Sequence, residues 1–287
     1  MLVFFILRIG GIYSMLENCI AVLREKAPLI HNITNYVTVN DCANILLASG
    51  ASPIMADDEN EVKEITSICG GLNINIGTLN QRTIKAMFLA GKKAKELNHV
   101  VLLDPVGVGA SALRTNTALD LMKAIEFDTI RGNISEIKTL ANGSGTTKGV
   151  DADIADTVTE ENLEQMVLFA KSFSKEHDCI TAITGAIDLV SDSTNCYVIR
   201  NGRSEMSRIT GTGCQLSALM TAFVTANKEH KLEAASASVC AMGLAGEIGF
   251  SHLLKGEGNS TYRNRIIDAI YNMDSKTLKE GAKYEIR

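Results

Sequence analysis

A single thiol lies inside a glycine-rich turn of this chain. Residues 209–223 read ITGTGCQLSALMTAF, so Cys214 comes directly after Gly211 and Gly213 in the same turn. The apolar residues that follow recur at helical spacing, which predicts a helix that begins here. The unpaired N–H groups of a helix N-terminus attract anions, and residues without a Cβ let an anion approach the backbone. The turn therefore predicts a phosphate site.

Cys214 carries the chemistry that such a turn would support. A helix N-terminus favours the thiolate, so the sequence predicts a lowered pKa and a chemical role for this thiol. The alternative interpretation stays open at this point. A free cysteine in a tight turn is usually a small, buried apolar residue that packs and does nothing else.

Two carboxylates are placed to serve a divalent cation. Asp104 closes the apolar run VVLLD, and a carboxylate at the carboxyl end of a buried strand suits Mg²⁺. Asn133 and Glu136 form an N-x-x-E motif that puts both side chains on one face of a helix start, where Glu136 would orient a metal-bound water. The alternatives are an Asp-Pro turn for Asp104 and a capped helix with a surface acid for Glu136.

Further polar residues follow the predicted strands. Arg131 would bind phosphate oxygens in a bidentate manner, and Thr184 with Gly185 offers a hydroxyl and accessible backbone to a nucleotide. Near the front of the chain, the polar segment 31–37 and Met55 suit a small heterocycle. A turn residue at Thr184 and a core methionine at Met55 remain the alternatives.

Two known phosphate-binding signatures give no site in this sequence. The P-loop motif GxxxxGK[ST] does not occur. Gly107, Gly109 and Ala112 fit the loose dinucleotide fingerprint, but they follow an Asp-Pro turn instead of running straight off a strand, which disfavours a Rossmann site. If the protein transfers phosphoryl groups, it does so without a P-loop.

These residues need a scaffold that brings distant segments together. Apolar runs alternate with helical patterns, which predicts a parallel sheet with helices on both faces and ligands at the carboxyl ends of its strands. The predicted strands are 28–32, 53–56, 72–76, 100–104, 128–132 and 179–184, followed by a hairpin of 187–190 and 196–199. The predicted helices are 15–26, 35–49, 81–97, 160–176, 214–227, 232–254 and 261–273.

Composition limits the classes of function. The 287 residues carry a net charge of −5 without a basic run, which argues against nucleic acid as a partner. Seven cysteines without CxxC spacing indicate reduced thiols in a cytoplasmic protein. The apolar run near the N-terminus is too short for a membrane span, so no membrane partner is expected. We interpret residues 1–14 as an extension that is disordered or not translated, and residues 15–287 as a single domain.

Taken together, these motifs resemble the ribokinase-like superfamily and, within it, the hydroxyethylthiazole kinase family. The matching segments are PLIHNITNYVTVNDCANILLASGASPIMA at 28–56, NIGTL at 75–79, LDPVGVGAS at 103–111 followed by Arg114, IRGNISEI at 130–137, ITGAIDLVSD at 183–192 and ITGTGCQLSALMTAF at 209–223. The resemblance implies a three-layer α/β sandwich with a mostly parallel central sheet and helices on both faces.

The resemblance also implies a reaction and its site. ATP would phosphorylate the primary hydroxyl of 5-(2-hydroxyethyl)-4-methylthiazole in thiamine salvage, in a homotrimer with active sites at subunit boundaries. The residues implied at the thiazole are Met55, Gly211, Asn35, Val37 and Gly77. Those implied at ATP are Arg131, Thr184, Asn133 and Gly213, and those at Mg²⁺ are Asp104 and Glu136. Cys214 stands where most relatives in the superfamily place an aspartate base.

Other functions stay compatible with these residues. They are a hydroxymethylpyrimidine kinase of the same superfamily, a hydrolase with Cys214 as its nucleophile, and a non-catalytic nucleotide sensor. The hydrolase lacks an obvious base, since His31 is the only histidine in a motif at a strand end. The sequence departs from the family pattern in residues 1–14 and in the slightly long stretch 142–160.

Overall fold

The computed structural model describes residues 15–143 and 157–287. The strands are β1 (Leu29–Ile33), β2 (Ser52–Met55), β3 (Gly71–Asn75), β4 (Val100–Asp104), β5 (Thr129–Asn133), β6 (Ile180–Thr184), β7 (Asp188–Ser191), β8 (Cys196–Ile199) and β9 (Tyr284–Ile286). They form one sheet in the order β2-β1-β3-β4-β5-β6-β7-β8-β9. Strands β1 to β6 pair in parallel, whereas β7 to β9 are antiparallel.

Helices cover both faces of the sheet. They are α1 (Met15–Lys26), α2 (Val39–Ser49), α3 (Val62–Ile68), α4 (Gln81–Glu96), α5 (Ala112–Ala124), α6 (Ile134–Gly143), α7 (Leu163–His177), α8 (Thr212–Ala226), α9 (Lys231–Ser251), α10 (Asn259–Asn272) and α11 (Ser275–Gly281), with 3₁₀ turns at Ser204–Arg208 and Lys228–His230. Helices α1, α2 and α8 to α11 enclose one apolar cluster, and α3 to α7 enclose the other. This three-layer arrangement confirms the predicted fold class.

Strand β4 shows why its sequence is a continuous apolar run. Val100 and Leu102 belong to the cluster on one face of the sheet, and Val101 and Leu103 belong to the cluster on the other. A strand that is buried on both faces has no solvent-exposed side, so it carries no alternating polar residues. Asp104 ends this strand and is itself fully buried. Because water does not solvate this carboxylate, other groups must compensate its charge.

The carboxyl ends of the central strands form one polar edge. Parallel pairing places Asn75 at the end of β3 beside Asp104 at the end of β4. In the same way, Asn133 at the end of β5 lies beside Thr184 at the end of β6. Residues that are far apart in the chain therefore meet at the edge where α/β sheets bind their ligands.

Helix α8 begins at this same edge. Its side chains are buried without interruption from Cys214 to Ala226, and it packs against β3 and β4. A helix that is apolar on all sides is one that lies inside the protein. The burial holds the N-terminus of α8 beside the ends of β3 and β4, where the glycine turn meets the strand-end side chains.

The predicted elements agree with the structure except in a few places. The helix expected over 35–49 begins only at Val39, because residues 36–38 form a turn. Helices α3, α5 and α11 and strand β9 were not among the predicted elements, and of α6 only the start, at the N-x-x-E motif, was predicted. Helix α3 is only seven residues long and buries just Val62 and Thr66, which leaves no periodic apolar pattern to detect.

Some expectations lie outside the described residues. Residues 1–14 are among these, as is most of the stretch 142–160. Within the described part of the chain, one helical stretch, Lys228–Ser251, is long and apolar enough to cross a membrane, and 78% of its apolar window is buried inside the structure. Packing in the core accounts for its apolar sequence.

Candidate active site

Gly211, directly before α8, and Gly213, in its first turn, allow close approaches that a Cβ would prevent. Gly211 is the N-cap residue of α8 and has a φ of +87°, in the left-handed region. A Cβ there would lie 2.3 Å from Cγ2 of Thr38. A Cβ at Gly213 would lie 2.6 Å from Nη1 of Arg131. The glycines thus bring a helix N-terminus and a guanidinium group together, which is an arrangement suited to phosphate.

One cavity of about 610 Å³ contains all four residues that were predicted to bind ATP. Among its lining residues, Nη2 of Arg131 donates a hydrogen bond to Oγ1 of Thr184 at 2.6 Å. The 3₁₀ turn Ser204–Arg208 and α9 also line the cavity, and α9 contributes the apolar side chains of Val239 and Met242. A cavity with both cationic and apolar lining residues has room for the phosphates and the base of a nucleotide. The four residues are Arg131, Asn133, Thr184 and Gly213.

Asp104 lies just beyond this cavity and is only partly satisfied. Its Oδ2 accepts hydrogen bonds from Nδ2 of Asn75 at 2.7 Å and from Oγ of Ser217 at 2.8 Å. Its buried Oδ1 has no hydrogen-bond partner, and the nearest cationic atom is Nη1 of Arg131 at 3.7 Å. Burial raises the pKa of Asp104 to about 6, against the opposing effects of Arg131 and the Ser217 hydrogen bond. An unpartnered carboxylate oxygen fits a cation that arrives with the substrate.

Both carboxylate oxygens of Glu136, at the polar edge of the sheet, accept hydrogen bonds from backbone N–H groups. Its Oε2 accepts from the N–H of Asn133 at 2.8 Å, while the N–H of Glu136 donates to Oδ1 of Asn133 at 2.9 Å. Its Oε1 accepts from the N–H of Gly107 at 2.8 Å. This reciprocal capping agrees with the capped-helix alternative, although the acid is buried and not at the surface. Each oxygen keeps one lone pair for a further donor or for a metal-bound water.

Within the described residues, no group of three or more His, Cys, Asp or Glu side chains is arranged to hold a metal ion by itself. Mg²⁺ is commonly held by one or two carboxylates together with the phosphates of a substrate, and it keeps several waters. Asp104, with its free Oδ1, fits that mode of binding. Glu136 fits it only through its remaining lone pairs.

Cys214 lies in the first turn of α8, and two side-chain amides donate to its sulfur. The Nδ2 atoms of Asn35 and Asn75 lie 3.1 Å and 3.3 Å from Sγ. The predicted lowering of its pKa is wrong: burial, followed by the nearby charge of Asp104, raises the pKa of this thiol. The hydrogen bonds from Thr38, Asn35 and Asn75 act in the opposite direction but do not outweigh desolvation.

The residues predicted at the thiazole form a more open region. Asn35 reaches Cys214, and a Cβ at Gly77 would lie 2.9 Å from Nδ2 of Asn35. Met55 ends β2 and is half-buried against the core cluster that includes α8. Val37 is 57% exposed. The structure therefore brings Asn35, Gly77 and Cys214 together, whereas Met55 packs on the core cluster and Val37 is exposed.

Comparison with known proteins is decisive at this point. The family model for the hydroxyethylthiazole kinase family matches residues 20–276. A hydroxyethylthiazole kinase from Clostridium acetobutylicum is 59% identical over 271 residues, which cover 94% of this chain and 99% of that protein. This chain belongs to the hydroxyethylthiazole kinase family. The predicted family and enzyme class are thereby confirmed.

Further relatives agree with this membership of the family. The hydroxyethylthiazole kinase from Clostridium tetani is 47% identical, with 95% of this chain and 98% of that protein covered. The solved structure of the hydroxyethylthiazole kinase protein from Pyrococcus horikoshii superimposes with a TM-score of 0.84 at 31% identity, covering 95% of this chain and 98% of that one. A pyridoxal kinase from Staphylococcus aureus, at 13% identity and a TM-score of 0.58, shares the fold alone; 91% of this chain and 98% of that one are covered.

Two buried residues of this kinase were missed by the sequence analysis. Asn75 and Ser217 both donate to Oδ2 of Asp104, and neither was named as a site residue. Each carried a detectable signal. Asn75 is a polar residue at the end of a predicted strand, and Ser217 lies one helical turn after Cys214 on the predicted helix.

The structure removes the base that the hydrolase alternative needed. Both ring nitrogens of His31 are occupied elsewhere: Nδ1 lies 3.0 Å from Oγ1 of Thr66 and Nε2 lies 2.8 Å from the carbonyl oxygen of Ala56. Burial lowers the pKa of His31, so a neutral ring that bridges these two groups is favoured. His31 is a structural residue here and does not contact Cys214.

The dinucleotide fingerprint at Gly107 and Gly109 is also accounted for. The N–H of Gly107 donates to Glu136, and the N–H of Gly109 donates to Oγ1 of Thr115 at 3.0 Å. Backbone N–H groups that are already bonded to side chains do not cradle a pyrophosphate. This loop is a connection from β4 to α5, in agreement with the sequence analysis.

Proposed function

We propose that this chain transfers the γ-phosphoryl group of ATP to the primary hydroxyl of 5-(2-hydroxyethyl)-4-methylthiazole in thiamine salvage. The observation that carries the proposal is the meeting of a nucleotide-sized cavity, a glycine-lined helix N-terminus and the pair Asp104 and Cys214 at one sheet edge. Membership of the hydroxyethylthiazole kinase family supports the choice of acceptor.

The nucleotide side would act through positioning and charge. Arg131 and Thr184 would bind the phosphates of ATP, with Asn133 and Gly213 beside them in the same cavity wall. The N–H groups at the start of α8 would bind the transferred group and stabilise the charge spread over its oxygens. Phosphoryl transfer has a loose transition state, so catalysis depends mostly on such positioning and electrostatic stabilisation.

The acceptor side would present the hydroxyl to Cys214. The thiazole would lie against Met55 and Gly211, with Asn35, Val37 and Gly77 nearby. Because bond formation to the attacking oxygen is late in a loose transition state, the hydroxyl need not lose its proton early. A buried thiol with a raised pKa is suited to hold the hydroxyl by a hydrogen bond. Acceptance of the hydroxyl's proton late in the reaction would require the thiolate form, because a neutral thiol has no place for a second proton.

Magnesium would be held mainly by the free Oδ1 of Asp104 together with the phosphates of ATP. Glu136 would orient a metal-bound water through its remaining lone pairs while it keeps the Gly107 loop in place. When bound, Mg²⁺ supplies neutralisation of phosphate charge.

The proposed assembly is a cytoplasmic homotrimer with active sites at subunit boundaries. Support comes from two exposed apolar side chains in the acceptor segment: Tyr36 is 78% exposed, and Val37, one of the proposed thiazole residues, is 57% exposed. Large exposed apolar side chains beside a binding site are typical of surfaces that a partner covers. The seven buried, unpaired cysteines fit a reducing compartment. Sedimentation of the purified protein tests the trimer, and a monomer with full activity would contradict it.

The function is tested by a coupled assay of ADP release. Purified protein is given ATP, Mg²⁺ and either the thiazole alcohol or a hydroxymethylpyrimidine at equal concentration. We expect turnover with the thiazole alcohol and kcat/KM for the pyrimidine that is lower by at least about 100-fold, since a site built for one ring rejects another by unpaired polar groups and poor fit. Preference for the pyrimidine would identify the other kinase of the superfamily, and ATP binding without turnover would indicate a nucleotide sensor.

A further inference from the structure

A single carboxamide touches both groups that the proposed reaction uses. Asn75 is 1% exposed at the end of β3. Its Nδ2 donates one hydrogen bond to Oδ2 of Asp104 at 2.7 Å and another to Sγ of Cys214 at 3.3 Å. Asp104 and Cys214 belong to different elements, β4 and α8, and this amide links them directly.

The orientation of this amide is set from its other end. Oδ1 of Asn75 accepts from Nδ2 of Asn35 at 3.1 Å and from the N–H of Gly77 at 2.9 Å. A side-chain amide has two donor hydrogens and one acceptor oxygen with two lone pairs, and here all four positions are used. A flipped amide would turn its NH₂ group toward two donors, so only one orientation is compatible with its neighbours.

The sulfur of Cys214 is held by a second amide from the same network. Nδ2 of Asn35 donates to Sγ, and Oδ1 of Asn35 accepts from the N–H and the Oγ1 of Thr38 at 3.2 Å and 3.1 Å. The methyl group of Thr38 is the atom that leaves no room for a Cβ at Gly211. One connected set of hydrogen bonds and contacts therefore runs from Asp104 through both amides to the turn before α8.

We propose that Asn75 is a positioning residue for phosphoryl transfer, which holds the carboxylate of Asp104 and the thiol of Cys214 in a set relation to each other. The inference rests on the proposed function of the site. The carboxylate of Asp104 and the sulfur of Cys214 both accept here, each from Nδ2 of Asn75. A neutral group with two donors satisfies both, and a misplacement of about 1 Å in such a site can cost about 100-fold in rate.

A buried asparagine can also serve the fold alone, and the chain offers a matched comparison. Asn73 lies two residues earlier in β3, is fully buried, and donates to Oδ1 of Asn32 at 3.1 Å. Its own Oδ1 is among the buried atoms without a partner. Asn73 has the same residue type, strand and burial as Asn75, but its hydrogen bond leads away from Asp104 and Cys214.

The test compares Asn75→Leu and Asn75→Asp with Asn73→Leu, using kcat, the KM values for ATP and the thiazole alcohol, and thermal melting. We expect kcat to fall by about 100-fold in both Asn75 variants, with the KM for ATP changed by less than about threefold. Asn75→Asp keeps both acceptor contacts but replaces both donors by a carboxylate oxygen beside Asp104, so its loss reports the missing donors together with the added charge. Asn73→Leu should keep kcat within about threefold of the wild type, even if its melting temperature falls by as much as that of Asn75→Leu.

A double-mutant cycle that combines Asn75→Leu with Cys214→Ala shows whether Asn75 acts through the thiol. If it does, Asn75→Leu lowers kcat much less in the Cys214→Ala background than in the wild type. Equal losses in Asn73→Leu and Asn75→Leu, a loss confined to KM, or full additivity in the cycle would each overturn the proposal. If Asn75→Leu does not fold, Asn75→Asp gives the same comparison. Wild-type protein without turnover of the thiazole alcohol would instead remove the proposed function itself, and this inference with it.

Discussion

Two aspartates near opposite ends of β4 have opposite environments. Asp128, the partly buried residue directly before β5, lies beside the start of β4, where it accepts from the N–H of Val101 at 2.9 Å and pairs with Lys95 and Lys231. Burial acts to raise the pKa of Asp128, but the hydrogen bonds from Lys231 and Val101 outweigh it and hold this pKa below its usual value. Asp104 at the other end has no lysine beside it, one unpartnered oxygen and a raised pKa.

We propose that the difference separates a residue that stabilises the fold from one that binds a ligand. Two lysines and a backbone N–H satisfy the charge of Asp128, so that end of the sheet is complete without a ligand. Asp104 keeps a buried oxygen without a hydrogen-bond partner, and the nearest cation is Nη1 of Arg131 at 3.7 Å. An incompletely satisfied carboxylate at the carboxyl ends of parallel strands is what we expect of a ligand site.

The largest effect is expected for the activity of Asp104→Asn. The amide keeps the shape of the side chain but removes the charge that would hold Mg²⁺, so kcat should fall roughly 10²- to 10³-fold. Asp128→Asn is the matched control and should leave kcat within about threefold, since Asp128 lies at the far end of the strand. Rates measured by ADP release decide this. Similar losses in both variants would remove the distinction between the two ends.

The two aspartates should also have opposite effects on stability as pH changes, in protein without nucleotide or magnesium. Asp104 has a raised pKa in the folded state, so the unfolded state ionises first. Wild-type stability relative to Asp104→Asn is greatest below pH 3.8 and falls until about pH 6, by roughly 3 kcal/mol in all.

For Asp128 the sign is reversed, because its pKa is lowered in the folded state. Wild-type stability relative to Asp128→Asn is fully present above the usual aspartate pKa and is lost as pH falls through the lowered folded value. Urea unfolding of the wild type and both variants across this pH range measures the two slopes. Slopes of the same sign would contradict the contrast.

A smaller effect is expected when the cationic residue near each end of β4 is replaced by alanine. Arg131→Ala should raise the KM for ATP by about 10-fold, because a guanidinium bonded to phosphate is worth a charge-assisted hydrogen bond. Lys231→Ala, which weakens the pair at Asp128, should leave this KM unchanged. Steady-state kinetics with ATP varied test both variants. An unchanged KM in Arg131→Ala would place this residue outside the nucleotide site.

The smallest effect is expected for Cys214→Asp. If the thiol holds or accepts the proton of the substrate, a carboxylate at the same place can do so too, supported by the amides of Asn35 and Asn75. Turnover should stay within about threefold of the wild type or rise. A folded Cys214→Asp protein without any activity would contradict the role of proton acceptor.

The positions of Asp104 and of the glycine turn could be predicted from the local spacing of apolar residues. The run VVLLD placed Asp104 at the end of a doubly buried strand, and the apolar periodicity after Gly213 placed a helix start in the glycine turn. The residues predicted at ATP do line one cavity. Short or weakly periodic elements escaped detection. In α5, for example, Leu113 is 46% exposed while Thr117 is buried, so the polarity of the residues does not report the buried face.

The sequence by itself determined the alternation of strands and helices, the polar residues at strand ends and the family. The alternation follows from short-range periodicity, which is written in neighbouring residues, whereas the family was indicated by the resemblance of whole segments. Tertiary structure alone decided that Asn75 stands between Asp104 and Cys214, that Glu136 holds the loop at Gly107, and that the thiol has a raised pKa. Hydrogen-bond partners and desolvation depend on which distant segments are packed around a group, and no local pattern records them.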